Sequence, residues 1–253
     1  MEKGLLSVQH VRKSFGGVTA VKDVSLELGE GTLTMLIGPN GSGKTTLLNI
    51  ISGVIEPDSG RIVFKGRDIT RLYPHERYRY GIARSFQVPQ LFTSLSVLEN
   101  VLVSSRLYLE EDALGILFTN SWALKDWDQA QKAFEILSLL KLDHLWDAPA
   151  RALSGGQMKL LELARALMSD PKLMLLDEPL AGVNPALAHE IMQALRRARD
   201  ELGVSFLIVE HRLDLASKYV DFVYAMNQGT VISSGTPDEV FEDPMVVESL
   251  LGG

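Results

Sequence analysis

The chain has 253 residues, a formal charge of −7 and no cysteine. That length holds one large domain or two small ones, and 46% hydrophobic residues allow a substantial core. A chain without cysteine has no disulfide and no thiolate metal site, which fits a reducing compartment, and the acidic balance argues against a nucleic-acid binder. Residues 1–6 lack the apolar core of a signal peptide, and no apolar run approaches the ~20 residues that span a bilayer. Any work at a membrane is then expected to go through a partner.

Residues 5–28 read as β structure. Leu6, Val8 and His10 alternate with Ser7, Gln9 and Val11, and residues 24–28 alternate too. Ser14-Phe15-Gly16-Gly17 is the expected turn between them. Phe15 is there either a turn or core anchor, or an exposed ring able to stack on a base.

Leu33–Ile37 is a short apolar run of strand type, and Thr46–Ile51 reads as the start of a helix ending near Gly53. Between them stands Gly38-Pro39-Asn40-Gly41-Ser42-Gly43-Lys44-Thr45, which fits G-x-x-x-x-G-K-[ST]. Glycines let backbone N–H groups converge on an anion, and a helix N-terminus adds unpaired donors and a partial positive charge. Lys44 is expected to reach the β- and γ-phosphates, and the Thr45 hydroxyl to ligate Mg²⁺. The competing reading, a plain glycine-rich turn, is weakened by the strand before the loop and the helix after it.

Pro57-Asp58-Ser59-Gly60 is a turn, residues 61–65 a strand, and residues 82–87 a further short strand. Pro89 biases Val88 to extended backbone, so Gln87 is placed at a strand end, in a loop. Residues 96–107 and 129–142 have helical apolar spacing. The stretch 108–127, with Phe118, Trp122 and Trp127, is either a docking surface or, as favoured here, aromatics packed inside their own helical subdomain.

Ser154-Gly155-Gly156-Gln157 opens a helix that runs to Met168. Its Ser-x-x-Gln spacing is that of a capping box, and the same helix start attracts anions. Leu173–Leu176 is a fully apolar run, as in a buried parallel strand, and delivers Asp177 and Glu178 at its C-terminal end. Asp177 there suits a Mg²⁺ shell, and Glu178 suits polarising an attacking water. Residues 186–201 read as a helix and Val204–Val209 as a second buried strand, ending at Glu210-His211. Of the five histidines only His211 has that placement. A hairpin is expected around Asn227-Gln228-Gly229, and Thr236-Pro237-Asp238-Glu239 opens a last helix.

Taken together the chain resembles the ATP-binding subunit of an ABC transporter over nearly its whole length. Leu153-Ser154-Gly155-Gly156-Gln157, lying between the phosphate loop and residues 173–178, matches that family's signature. The resemblance implies an α/β fold: a P-loop NTPase core with a mostly parallel sheet, an N-terminal antiparallel β subdomain and an inserted helical subdomain. The core would comprise 1–90 and 170–253, with the helical part at about 91–169. It implies ATP and Mg²⁺ as cofactors. Residues Gly38 to Thr46 would hold the phosphates, among them Pro39, Asn40, Gly41, Ser42, Gly43, Lys44 and Thr45, and Phe15 would stack on adenine. Ser154, Gly155, Gly156 and Gln157 would meet the nucleotide from a second, head-to-tail subunit, identical or related. Glu178, His211, Lys44 and Gln87 take the catalytic roles, and Thr45, Gln87 and Asp177 the metal. Asn184 departs from the aspartate many members carry there.

A finer resemblance, to the branched-chain amino acid import branch, rests on residues 154–159, 177–185 and 210–214, the insertion near 108–127 and the tail 247–253. It implies integral membrane permease subunits as partners, a solute-binding protein met indirectly, no nucleic acid, and a peripheral place on the cytoplasmic face of the cell membrane. The alternative is a soluble ABC ATPase uncoupled from transport.

Overall fold

The computed structural model describes residues 4–84, 91–105 and 122–251. Gln87 and Phe118, and the strand and helix ends expected at 85–87 and 106–107, lie outside the described residues. The chain forms two compact units, residues 1–84 with 172–253 and residues 85–171.

The first unit is built on a ten-stranded sheet of order β5-β4-β1-β2-β10-β9-β3-β8-β7-β6. The strands are β1 (Leu6–Phe15), β2 (Val18–Leu28), β3 (Leu33–Ile37), β4 (Ser59–Phe64), β5 (Arg67–Asp68), β6 (Ile82–Arg84), β7 (Leu173–Asp177), β8 (Ser205–Val209), β9 (Phe222–Asn227) and β10 (Thr230–Gly235). Strands β6, β7, β8, β3 and β9 run parallel, whereas β1 pairs antiparallel with both β2 and β4. The central strands β3, β7 and β8 are buried at every position, which is why they read as unbroken apolar runs.

The expected alternation in β1 is corrected at His10. Val11, not His10, joins Leu6 and Val8 in the core. The register shifts between Val8 and Val11, and His10 takes a positive φ of 50°. One extra residue in a strand flips every later side chain to the other face. Gly60 opposite makes room, since a Cβ there would lie 2.5 Å from the His10 carbonyl oxygen.

Helix α1 (Lys44–Ser52) follows β3 and ends on Gly53, at φ 81°. A short helix α2 (Pro74–Arg79) is not legible from apolar spacing, being only six residues long. Its Arg77 is 1% exposed and donates to the carbonyls of Ile50, Ile51, Thr70 and Leu72, tying off the C-terminal end of α1.

In the second unit, α3 (Val97–Leu102), α4 (Trp122–Leu139) and α5 (Gly155–Met168) pack on Val97, Val101, Ala133, Ile136, Leu137, Leu161 and Ala164. Helix α4 begins before the expected position 129. Trp127 is 71% exposed, contrary to the expectation that it packs inside. At 100° per residue it lies half a turn round from buried Ile136. Phe134 and Trp146, both partly exposed, pack on each other with ring centroids 5.7 Å apart.

The first unit closes with α6 (Pro185–Leu202), the short α7 (Leu213–Ala216), α8 (Pro237–Glu242) and α9 (Pro244–Leu251). The single tail helix expected from Thr236 is two helices, because Pro244 forces Asp243 to extended backbone, φ −66° and ψ 119°. No helix among the described residues is long and apolar enough to cross a membrane.

Candidate active site

Three strand ends of the first unit supply the site. Strand β3 feeds the loop Gly38–Gly43 into α1, β7 ends at Asp177, and β8 ends at Val209 just before Glu210 and His211. Strand β3 pairs with β8 and β8 with β7, so the three C-terminal ends lie side by side at one sheet edge.

The loop is closely enclosed. A Cβ on Gly38 would sit 2.1 Å from the Met226 carbonyl oxygen, and one on Gly43 2.4 Å from that of Ala20. The turn of the β9–β10 hairpin braces it from the side, Gly229 N–H donating to the Ser42 carbonyl at 3.0 Å. Both central residues of that turn, Gln228 and Gly229, have positive φ, as a two-residue hairpin turn of the expected type requires. Helix α1 starts on Gly43 with no side-chain cap and no acidic residue in its first turn. Its N-terminus is therefore left to an anion.

Lys44 is 5% exposed, and its ammonium donates to the carbonyls of Gly38, at 2.8 Å, and Pro39, at 2.9 Å. Burial pulls its pKa below the ordinary lysine value, opposed by the charges of Glu178 and Asp177. A phosphate there would supply the counter-charge that the carbonyls lack. Thr45 is exposed and Thr46 half-buried on the first turn of α1.

Asp177 is 4% exposed. Its Oδ2 faces the Arg84 guanidinium at 3.4 Å, and Arg84 also donates to Asn49 and Ser52 of α1. Its Oδ1 is buried and has no hydrogen-bond partner among the described residues. Burial raises the carboxyl's pKa, with Arg84 opposing. A buried carboxylate oxygen without a partner is a costly feature that a cation would satisfy. Among the described residues no three His, Cys, Asp or Glu side chains converge. A single carboxylate there would leave most ligand positions to water and phosphate oxygens, a coordination that Mg²⁺ accepts.

Glu178 has φ 52°, a left-handed conformation that costs a non-glycine residue about 1–3 kcal/mol. The turn aims its carboxylate at His211, with Oε1 3.4 Å from Nε2, and both side chains stay more than a third exposed. Glu210, to which the sequence assigns no role of its own, is buried and accepts backbone N–H groups from Leu180, His211 and Arg212. Its signals in the sequence are its position next to the histidine and its place in the 210–214 stretch.

Phe15 ends β1, 48% exposed, with the Lys13 ammonium 5.6 Å from its ring. The turn is Gly16-Gly17, two residues shorter than expected, because Ser14 and Phe15 pair with Thr19 and Val18. Val18 is two residues from Ala20, whose carbonyl abuts Gly43. In the second unit, Ser154 caps α5: its Oγ accepts the Gln157 N–H at 3.3 Å, and Gln157 Oε1 accepts the Ser154 N–H at 2.9 Å. Asn184 caps α6 through its amide oxygen and the Leu187 N–H, 2.9 Å, a role that needs no aspartate charge.

A family model described as ABC transporter matches residues 21–181. A probable branched-chain amino acid transport ATP-binding protein, LivG, of Archaeoglobus fulgidus is 46% identical over 98% of this chain and 95% of its own. Among solved structures, the ADP conformation of an ATP-binding cassette of an ABC transporter has a TM-score of 0.86 at 44% identity, covering 99% of both chains. A dimeric post-hydrolysis state of another cassette, bound to ADP and Pi, has a TM-score of 0.73 at 26% identity, covering 92% of this chain and 98% of that one. An uncapped helix start behind a glycine-rich loop, an acidic pair at the same sheet edge and this family match agree: the chain is an ATP-binding cassette belonging to the ABC transporter family.

Proposed function

We propose that this cassette hydrolyses ATP to drive import of branched-chain amino acids, as a peripheral subunit on the cytoplasmic face of integral membrane permease subunits. The observation that carries the catalytic part is Glu178 beside His211 at the sheet edge shared with the phosphate loop. The substrate class is supported by the likeness to the Archaeoglobus transport protein.

Lys44 and the backbone of Gly38–Thr46 bind the phosphates, and Phe15 takes the adenine ring. Mg²⁺, when bound, neutralises charge on the β- and γ-phosphates. Asp177 Oδ1 and the Thr45 hydroxyl are the groups that would hold it, with Gln87 as a further ligand. Glu178 orients a water and accepts its proton as the water oxygen bonds to the γ-phosphorus. The bond to the β–γ bridging oxygen breaks, and ADP and phosphate leave. His211 donates to the γ-phosphate. The donors of Ser154, Gly155 and Gly156 come from a second cassette, so each subunit holds half of two sites. The post-hydrolysis cassette dimer supports that arrangement.

Two measurements test this. Hydrolysis per site should rise with protein concentration, and Glu178→Gln should slow it by about 10²–10⁴-fold while an ATP-dependent dimer accumulates in gel filtration. Equal turnover in dilute monomer would sink the composite site. The chain should also co-purify from membranes with two integral subunits; recovery only as a free ATPase would favour the uncoupled alternative.

A further inference from the structure

We infer that Glu210 and Arg212 form a clasp that sets the spacing between Glu178 and His211, making both positioning residues for hydrolysis. The inference rests on the catalytic reading of Glu178 and His211 above. It starts from one buried carboxylate whose two oxygens serve different segments. Oε1 of Glu210 accepts the buried N–H of Leu180 at 2.7 Å. Oε2 accepts the N–H groups of His211, at 3.0 Å, and Arg212, at 3.2 Å. On the far side of His211, Arg212 Nη1 donates to the Val183 carbonyl at 2.7 Å.

Residues 210–212 therefore grip residues 180–183 at two points, one on each side of the histidine. Glu178 is anchored to the same strand, its N–H donating to the Val209 carbonyl at 2.9 Å. The left-handed turn at Glu178, the run from Leu180 to the Asn184 cap, and the His211 backbone then shift together. The clasp adds two side-chain ties between the loops to the strand pairing of β7 with β8. A catalytic pair needs its groups placed to within about 1 Å, a displacement worth about 10²-fold in rate.

The carboxylate is needed, not merely a side chain of that size. A glutamine keeps one oxygen and so satisfies one segment, while its NH₂ faces N–H donors on the other. Glu210→Gln therefore opens one jaw of the clasp with little change in volume.

The test uses the full chain with Mg²⁺ and ATP, with affinity read separately by fluorescent nucleotide titration. Glu210→Gln should lower kcat about 10- to 100-fold, leaving KM and nucleotide Kd within about twofold. Arg212→Ala should lower kcat by a smaller factor at unchanged Kd. Combined with Glu210→Gln it should add less than its separate effect, as expected of partners in one device. A kcat within twofold of the parent for Glu210→Gln overturns the clasp, as does a fall of kcat, affinity and melting temperature together. Should Glu210→Gln fail to fold, Arg212→Ala decides alone: unchanged kcat overturns the proposal. Glu178→Gln and His211→Ala run in parallel. Loss of turnover in these two with none in Glu210→Gln removes the clasp and leaves the catalytic reading standing. Full turnover in these two removes both.

Discussion

Two helices in this molecule begin on glycine-rich stretches, and they treat their exposed N–H groups in opposite ways. Helix α1 begins on Gly43 with no side-chain cap, behind a loop so tightly enclosed that two of its glycines have no room for a Cβ. Helix α5 begins on Ser154, which exchanges hydrogen bonds with Gln157. The first is a preformed anion receptor that spends nothing on itself. The second pairs its Ser154 and Gln157 N–H groups with the capping side chains, at 2.9 and 3.3 Å. On the proposed reading, one start carries affinity and the other makes its contact when a second cassette arrives.

Five substitutions bear on that contrast. The largest effect is expected at Gly43. Gly43→Ala must adopt φ 103° and overlap the Ala20 carbonyl, whereas Gly155→Ala meets nothing within 4 Å. Chemical denaturation should show a loss of about 4 kcal/mol for the former. The latter should leave stability unchanged or raised by up to about 1 kcal/mol, through helix propensity. Equal losses would mean the two loops are built alike.

Next come the charged and hydroxyl groups. Lys44→Ala should weaken nucleotide binding to the monomer about 100-fold, the loss of one charged hydrogen-bond donor. Ser154→Ala should leave monomer affinity within about twofold, cost about 1 kcal/mol of helix stability and lower kcat about 100-fold. Weaker monomer binding in Ser154→Ala would break the division of labour. Phe15→Ala sharpens it further: stacking loss should weaken binding about tenfold, with kcat at saturation unchanged.

The smallest effect concerns Asp177. Its pKa is raised by burial, so the folded chain holds that proton more tightly than the unfolded one. The stability this contributes is full in acid, below the unfolded value, and is lost as pH rises through the folded value. Once ionised, the buried carboxylate is a burden on the nucleotide-free fold. Asp177→Asn should raise the melting temperature at neutral pH by roughly 2–4 °C, and the gain should vanish below the ordinary carboxylate pKa. A lower melting temperature at neutral pH would show that the pairing with Arg84 outweighs burial.

Features set by neighbours in the chain were legible beforehand. The phosphate loop, the Ser154–Gln157 and Thr236–Glu239 capping boxes, the Gly229 hairpin and the apolar strands each depend on residues within one turn or one strand. The two acids after Leu176 were readable as a site because a buried parallel strand carries its next residues to the sheet edge. Asn184 reads in the sequence as a loss of charge, since its capping bond lies in geometry and not in residue type.

What remained for the tertiary structure joins residues far apart. The bulge at His10 exists because Gly60 of another strand yields space, and no local periodicity announces it. Gly38 and Gly43 must be glycine because Met226 and Ala20, distant in the chain, press their carbonyls on the loop. The partners of Arg84, Glu210 and Arg212 were set only when packing brought Asp177, Leu180 and Val183 against them. The sequence by itself determined the family, the phosphate loop and the acids at the strand end, because short-range backbone and side-chain chemistry encodes them. Only the tertiary structure decided which atoms those groups face, because burial and hydrogen-bond partners arise when separate strands are brought side by side.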